Sequence, residues 1–274
     1  MKTPYKIVDV FENGACTGNP VCVVKIEGAM PEDKKLQALA NWINLSETTF
    51  ISDSEVADYH LRIFTPDNEL PFAGHPTLGS AWAFAELDSN KTLIKQKCAY
   101  GEVLIERKGN MLTFTLPHYI KGEHIDSEEL CAQYPLAVCH SPQIYTTGPV
   151  WMVAQVVDKS ALMSVSVGSE ETVKWMKRYN AEGINLFYVE DDGSITIRTF
   201  FHANDLMVED PACGSGNAAV GAYLIENKRF PPMGYIAYQG KARSRDAVVK
   251  VSVKNGAIQI GGKCRTIMEG FVDL

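Results

Sequence analysis

Glu209-Asp210-Pro211-Ala212-Cys213-Gly214-Ser215-Gly216-Asn217 is the stretch on which the reading of this chain turns. Before it, Ile195-Thr196-Ile197-Arg198-Thr199-Phe200 has the composition of a strand, and after it an apolar run to Glu226 has the composition of a helix. A carboxylate, a thiol and a hydroxyl therefore sit in a loop that opens directly into a helix. Glycines there let backbone N–H groups approach a ligand, and the uncompensated N–H groups and positive dipole end of the helix favour a bound anion. A substrate carboxylate is the natural guest. The string is not a nucleophile elbow, because Ala212-Cys213-Gly214-Ser215-Gly216 lacks a glycine two residues before the serine.

The context of this stretch occurs twice. Leu61-Arg62-Ile63-Phe64 matches Ile197-Arg198-Thr199-Phe200, and Ala73-Gly74-His75-Pro76 stands where Cys213-Gly214-Ser215-Gly216 stands later. Both copies run into an Ala-rich apolar helix, with His75 and Ser215 read as the N-caps and Pro76 as a first helical residue. Upstream, Thr48-Thr49-Phe50-Ile51 answers Asn185-Leu186-Phe187-Tyr188, and Pro20-Val21-Cys22-Val23-Val24 answers Pro149-Val150-Trp151-Met152-Val153. This reads as one duplicated unit. If two such units pack face to face, both helix tips point at one ligand.

A length of 274 residues suits two domains of about 130 residues each. The halves are expected at 1–120 and 121–274, near Pro117 and Lys121-Gly122-Glu123, with the last strand, 265–274, able to pack back onto the first half. A net charge of −7, with no basic run beyond Lys241-Ala242-Arg243-Ser244-Arg245, argues against nucleic acid as a partner. Met1-Lys2-Thr3-Pro4-Tyr5 leads straight into strand-like sequence, and no apolar run approaches the ~20 residues that span a bilayer. A soluble, cytoplasmic protein is expected. Seven cysteines without C-x-x-C spacing read as free thiols, and the six histidines show no pairing at ligand spacing, so no metal site is expected.

Along the chain, strands over residues 5–25 flank a turn ending at Asn19-Pro20, where Asn19 is a candidate polar contact. A helix follows from Pro31 to about Asn44, and Glu47 then opens the strand Thr48-Thr49-Phe50-Ile51. By spacing, Glu47 is either a solvent-facing residue or a carboxylate in a partly dry cleft. Burial would raise its pKa and suit it to proton transfer. A helix from Thr77 to Leu87 precedes three strands over 93–116 at meander spacing, and Glu69 reads as a solvated turn acid.

Val8-Asp9-Val10-Phe11 with Gly18-Asn19-Pro20, Asn44-Leu45-Ser46-Glu47-Thr48, Phe64-Thr65-Pro66, Gly74-His75-Pro76-Thr77-Leu78-Gly79 and Glu209-Asp210-Pro211-Ala212-Cys213-Gly214-Ser215 together resemble the PhzF-like family of phenazine biosynthesis. The resemblance covers nearly the whole chain. It implies the α+β fold shared with diaminopimelate epimerase and proline racemase, in which two similar domains each curl a mostly antiparallel sheet around a central helix. It also implies a site in the cleft between the domains, a homodimer, and isomerase chemistry without metal or organic cofactor on a small carboxylated substrate. In that reading Glu47 is the general acid/base. His75 and Asp210 act with it, and Asn19, Gly74, Cys213, Gly214, Ser215 and Gly216 bind substrate.

Two departures bear on the chemistry. Cys213 stands where the epimerases and racemases carry one catalytic thiol, but the partner position is Ala73, which can neither give nor take a proton. A two-thiol racemisation is therefore unavailable. A thiolate at a helix N-terminus has a lowered pKa, which leaves an unequal Glu47/Cys213 pair, and hence an amino-acid epimerase, chemically open. Loss of catalysis, leaving a ligand-binding or interaction module, is the third reading.

Overall fold

The structure, a computed structural model, describes residues 2–86, 90–116, 118–203 and 206–274, so the expected helix end at Leu87 and the boundary residue Pro117 lie outside it. The chain divides into two compact units, Met1–Thr115 with Gly261–Leu274, and Leu116–Ile260.

The first unit contains β1 (Lys2–Val10), β2 (Asn19–Lys25), α1 (Asp33–Ile43), β3 (Glu47–Ser52), β4 (Tyr59–Phe64), β5 (Glu69–Leu70), α2 (Gly74–Ala85), β6 (Leu93–Cys98), β7 (Gly101–Lys108) and β8 (Met111–Thr115). The second contains β9 (Ile120–His124), α3 (Ser127–Gln133), β10 (Gln143–Thr146), β11 (Val150–Gln155), α4 (Lys159–Ser164), α5 (Glu170–Arg178), β12 (Gly183–Val189), β13 (Ile195–Ala203), β14 (Leu206–Asp210), α6 (Gly214–Glu226), β15 (Tyr235–Gln239) and β16 (Ala247–Lys254). The last strand, β17 (Ala257–Asp273), begins in the second unit and ends in the first.

In the first unit the pairings run β1–β2–β3–β4–β6–β7–β8–β17 and return to β1, closing a ring in which only β2–β3 and β4–β6 are parallel. Inside it lies α2, touching β1, β2, β3, β4, β6 and β8. The helix is apolar around most of its circumference, with Gly74 through Ala81 buried in unbroken succession, and such a helix needs cover on every side. Gly79 brings it close to β2, since a Cβ there would lie 2.3 Å from Val21 Cγ1.

The second unit repeats the local pattern. β11–β12 is parallel, β12–β13 antiparallel and β13–β15 parallel, as β2–β3, β3–β4 and β4–β6 are in the first. α6 is buried from Gly216 through Leu224 and touches β10, β11, β12 and β16. The register corrects two expected matches. With Arg62 answering Arg198, Phe64 pairs with Thr48 and Phe200 with Ile184, so Thr48 answers Ile184 rather than Asn185, and Cys22 answers Met152 rather than Trp151, each a shift of one residue that exchanges the two faces.

Each unit also places an Arg–Glu fork on the hairpin that delivers the chain to its central helix. Arg62 Nε and Nη2 donate to the two carboxylate oxygens of Glu69 at 2.7 and 2.6 Å, and Arg198 does the same to Glu209 at 2.9 and 2.8 Å. Glu69 is therefore an ion-paired strand residue rather than a solvated turn acid. The second fork is buried, its side chains 6% and 3% exposed, and Arg198 also donates to the Leu162 and Val165 carbonyls. The first is wetter, with Glu69 37% exposed.

Two stability outcomes follow from this packing. Gly79→Ala would stabilise an exposed helix by up to about 1 kcal/mol. Here it should destabilise by about 1–3 kcal/mol through the clash with Val21, seen as a lower urea midpoint at unchanged m. Arg198→Met should cost about 3–5 kcal/mol because Glu209 is left charged and buried. Arg62→Met should cost no more than about 1 kcal/mol, and equal losses in the same titration would contradict the contrast.

Candidate functional site

The first unit assembles a carboxyl, an imidazole and a helix tip. Asn44 ends α1 in the left-handed conformation (φ 57°) and turns the chain so that Glu47 becomes the first residue of β3. Glu47 Oε2 lies 3.3 Å from His75 Nε2, with the two side chains 15% and 5% exposed. His75 belongs to the first turn of α2, but it is not the N-cap expected from sequence. Ala73 holds that position, with extended backbone (φ −150°, ψ 143°), and Gly74 is the first helical residue. β5 runs almost to this point, so the strand-to-helix switch rather than cap preference fixes where the helix begins.

Burial pushes the His75 pKa down to about 3, opposed only weakly by the hydrogen bond from its ring to the Pro20 carbonyl. The imidazole is neutral at physiological pH and carries one N–H. With that proton committed to Pro20, Nε2 presents a lone pair to Glu47. Asn19, adjoining Pro20, is the fully buried first residue of β2.

The second unit builds its tip from different side chains. Asp210 ends β14, where a loop is expected from sequence; the pairing of Glu209 and Asp210 with Phe200 and Thr199 of β13 makes them strand residues instead. Asp210 Oδ1 accepts the Ala212 N–H at 2.9 Å, closing a turn around Pro211. Burial raises the Asp210 pKa to about 6, against the lowering effect of the hydrogen bonds from the Ala212 N–H and the Cys213 thiol.

Cys213, not Ser215, is the N-cap of α6, and its Sγ accepts the Gly216 N–H at 3.3 Å. Its thiol pKa is pushed well up, first by burial and then by the neighbouring Asp210 charge. The lowered pKa expected for a thiolate at a helix N-terminus is not found, because burial and the Asp210 charge outweigh the hydrogen bonds from Ser215 and Gly216. Ser215 lies one residue inside the helix. Its Oγ accepts the Trp151 Nε1–H at 3.2 Å, and its carbonyl accepts the Thr147 hydroxyl at 2.9 Å, so β11 and the residue following β10 hold the tip in place. Gly216 packs against Asn185, whose Oδ1 would lie 2.2 Å from a Cβ at that position.

Each unit thus brings its own expected residues together: Asn19, Glu47, Gly74 and His75 in the first, and Asp210, Cys213, Gly214, Ser215 and Gly216 in the second. The α6 tip spends its Cys213 N–H on Gln239 Oε1 and its Gly216 N–H on sulfur, which leaves Gly214 and Ser215 as the N–H groups suited to an anion. Gln239, Trp151 and the two Arg–Glu forks did not emerge from sequence. Gln239 carried a signal, because it falls on the buried parity of β15 with Tyr235 and Ala237. A polar residue there must satisfy its amide inside the protein.

Known proteins share this arrangement of sequence. A family model described as phenazine biosynthesis-like protein matches residues 8–270. Antisense-enhancing sequence 1 of Schizosaccharomyces pombe is 34% identical over 292 residues, with 97% of each chain covered. An uncharacterized isomerase of Pasteurella multocida is 32% identical, covering 96% of this chain and 92% of that protein. Among solved structures, a PhzF-family phenazine biosynthesis protein of Bacillus anthracis superposes with a TM-score of 0.88 over the whole of both chains at 23% identity, which establishes the fold as that of PhzF proteins. With a match to the family model from Val8 to Gly270 and a full-length relative above 30% identity, the chain belongs to the phenazine biosynthesis-like (PhzF) family.

Proposed function

We propose that the protein is an isomerase that moves a proton between carbons of a small carboxylated substrate by general acid/base catalysis, with Glu47 as the proton carrier. The observation that carries this reading is the Glu47–His75 contact at 3.3 Å. A neutral imidazole whose N–H is engaged elsewhere accepts from a protonated carboxyl and offers nothing to an ionised one. It therefore steadies Glu47 in the form that delivers a proton without forming a permanent ion pair that would suppress the basic form. The Pasteurella multocida relative bears the name isomerase, which agrees with this class of reaction.

In the proposed cycle Glu47 takes a proton from a substrate C–H. The electron pair left on carbon is delocalised into the adjacent unsaturated system or carboxylate, and Glu47, after exchange of its proton with solvent, returns a proton at a second carbon. Donors fixed where negative charge develops lower such barriers, and first-turn N–H groups at a helix tip, such as Gly74 beside Glu47 in the first unit or Gly214 and Ser215 in the second, are of the kind that does so. Asp210, ionised above about pH 6, accepts from substrate donor groups. Cys213 keeps its proton and caps the helix, a role at odds with its use as a racemising base.

Two experiments address this assignment. With candidate cyclic and amino-acid-like carboxylates in D₂O, the wild type should place deuterium on carbon. Glu47→Gln should lose roughly 10²–10⁴-fold in rate, the usual range for a positioned acid/base, while Cys213→Ala retains most of it. The opposite ranking would select the epimerase reading.

The second concerns His75. Its folded pKa lies below the unfolded value of 6.5, so its contribution to stability is complete above that pH and declines as the unfolded chain takes up a proton that the fold refuses down to about pH 3. The loss approaches about 1.4 kcal/mol per pH unit within that window. The stability difference between wild type and His75→Gln should therefore shrink between pH 7 and pH 4.5 in urea titrations. A pH-independent difference would mean that the ring takes up its proton as readily in the fold as in the unfolded chain.

A further inference from the structure

The side-chain amide of Gln239, at the end of β15, is only 2% exposed and makes four hydrogen bonds. Its Oε1 accepts the Cys213 N–H at 3.2 Å and Asn217 Nδ2 at 3.0 Å. Its Nε2 donates to Thr199 Oγ1 at 3.1 Å and to the Asp210 carbonyl at 3.0 Å. Two of these partners are backbone groups of fixed polarity, so the orientation of the amide is determined, and every donor and acceptor site it has is filled. Thr199 passes the chain on, lying 2.8 Å from Asn185 Oδ1, and Asn185 abuts Gly216 in the first turn of α6.

The amide thus grips both ends of the turn that carries the Asp210 carboxyl and the Cys213 thiol. The following residue completes the bed of that turn. Gly240 has φ 91°, and a Cβ there would lie 2.5 Å from the Pro211 carbonyl oxygen.

The first unit shows that the fold does not require this clamp. Tyr59 pairs with Gln96 and Ile195 with Ala237, and Tyr59 answers Ile195 in the matched strands, so the position answering Gln239 is Cys98. Cys98 donates to the Gly101 carbonyl and does not reach the α2 tip. Gln96, two residues earlier on β6, reaches the first turn of α2, but through the Thr77 hydroxyl at 3.2 Å rather than through backbone groups of the turn before the helix, and its Oε1 accepts from Tyr59. Among the described residues, the amide that holds the backbone at both ends of the turn is in the unit that carries a carboxyl and a thiol there.

We propose that Gln239 is a positioning residue for the proposed isomerase: its amide fixes the Asp210–Cys213 turn and withdraws the Cys213 N–H from the anion-binding set, leaving Gly214 and Ser215 to hold the substrate. This rests on the isomerase reading for its catalytic consequence, while its structural half can be tested without any substrate.

The test is alkylation of the intact protein by iodoacetamide, with each cysteine followed by mass spectrometry in wild type and in Gln239→Leu. Cys22 and Cys264 are buried cysteines outside the clamp and report global opening. Cys213 should react roughly tenfold or more faster in the variant while Cys22 and Cys264 stay protected, because local opening rises with the hydrogen bonds removed. Should Gln239→Leu fail to fold, Thr199→Val, which takes away one of the four partners, carries the same comparison. An unchanged Cys213 rate, or a rise shared by all three thiols, overturns the proposal.

On a substrate that the wild type deuterates, Gln239→Leu should lower kcat and raise KM together, and a variant with wild-type kcat and KM would overturn the catalytic half. Absence of deuteration by the wild type would sink the isomerase reading, whereas the cysteine pattern would still decide the role of Gln239.

Discussion

A helix with no polar face has to be enclosed, and that constraint organises both units. α2 and α6 are dominated by small and apolar residues, with Glu226 at the end of α6 as the one Asp, Glu, Lys or Arg between them, so neither can lie on a surface as an amphipathic helix does. Wrapping each in strands buries the sides, but the first-turn N–H groups have no intrahelical acceptors and cannot be sealed into an apolar interior. They must meet side chains or a ligand. Small residues at Gly74 and Gly214 keep the approach open, and the positive end of the helix adds an attraction for anions. The site is thus a by-product of the way the core is made, and its chemistry depends on which side chains stand beside the tips.

Desolvation then sets the character of those side chains, with opposite consequences for acids and bases. It removes the charge from His75, which becomes a neutral acceptor beside Glu47. It raises Asp210 toward neutrality and makes the Cys213 thiol a poor acid. A single physical cause therefore supplies one neutral acceptor beside a carboxyl, one group that changes charge near pH 6, and one that keeps its proton. The Ser215 hydroxyl and the Gly216 N–H act on the same thiol in the other direction, and its burial outweighs them.

Much of this was legible in the sequence wherever composition alone decides. The paired motifs around Gly74 and Gly214, the apolar helices after them and the strands before them followed from residue type and spacing. The helix starts did not. Residue preference pointed to His75 and Ser215 as caps, but strands β5 and β14 carry extended backbone up to the turns before Ala73 and Cys213 and move each start two residues upstream. β14 itself was hidden because its last residues, Glu209 and Asp210, are acidic, and only the buried guanidinium of Arg198, eleven residues earlier, makes a strand acid such as Glu209 tolerable there. The Cys213 pKa was misjudged for a related reason, since burial cannot be read from a local motif. Gln239 was overlooked although its parity on β15 marked it as inward-facing.

The two units share a pairing pattern but not a set of side chains, and the differences bear on the stereochemistry of the proposed reaction. Where the first unit has Glu47, the matching position in the second is the buried Gly183; where the second has Asp210 and Cys213, the first has Leu70 and Ala73. Inversion at a carbon by two bases requires groups of comparable proton affinity on opposite faces of the substrate. The thiol of the second unit holds its proton and so is no match for a carboxyl as the second of two such bases. The first unit alone holds a carboxyl beside a neutral histidine, and the proposed reaction needs one carrier, not two. With Glu47 as that carrier, a proton leaves one carbon and a proton is returned to another from the same side of the substrate, so a shift between neighbouring carbons, rather than inversion at a single centre, is the chemistry the proposal entails.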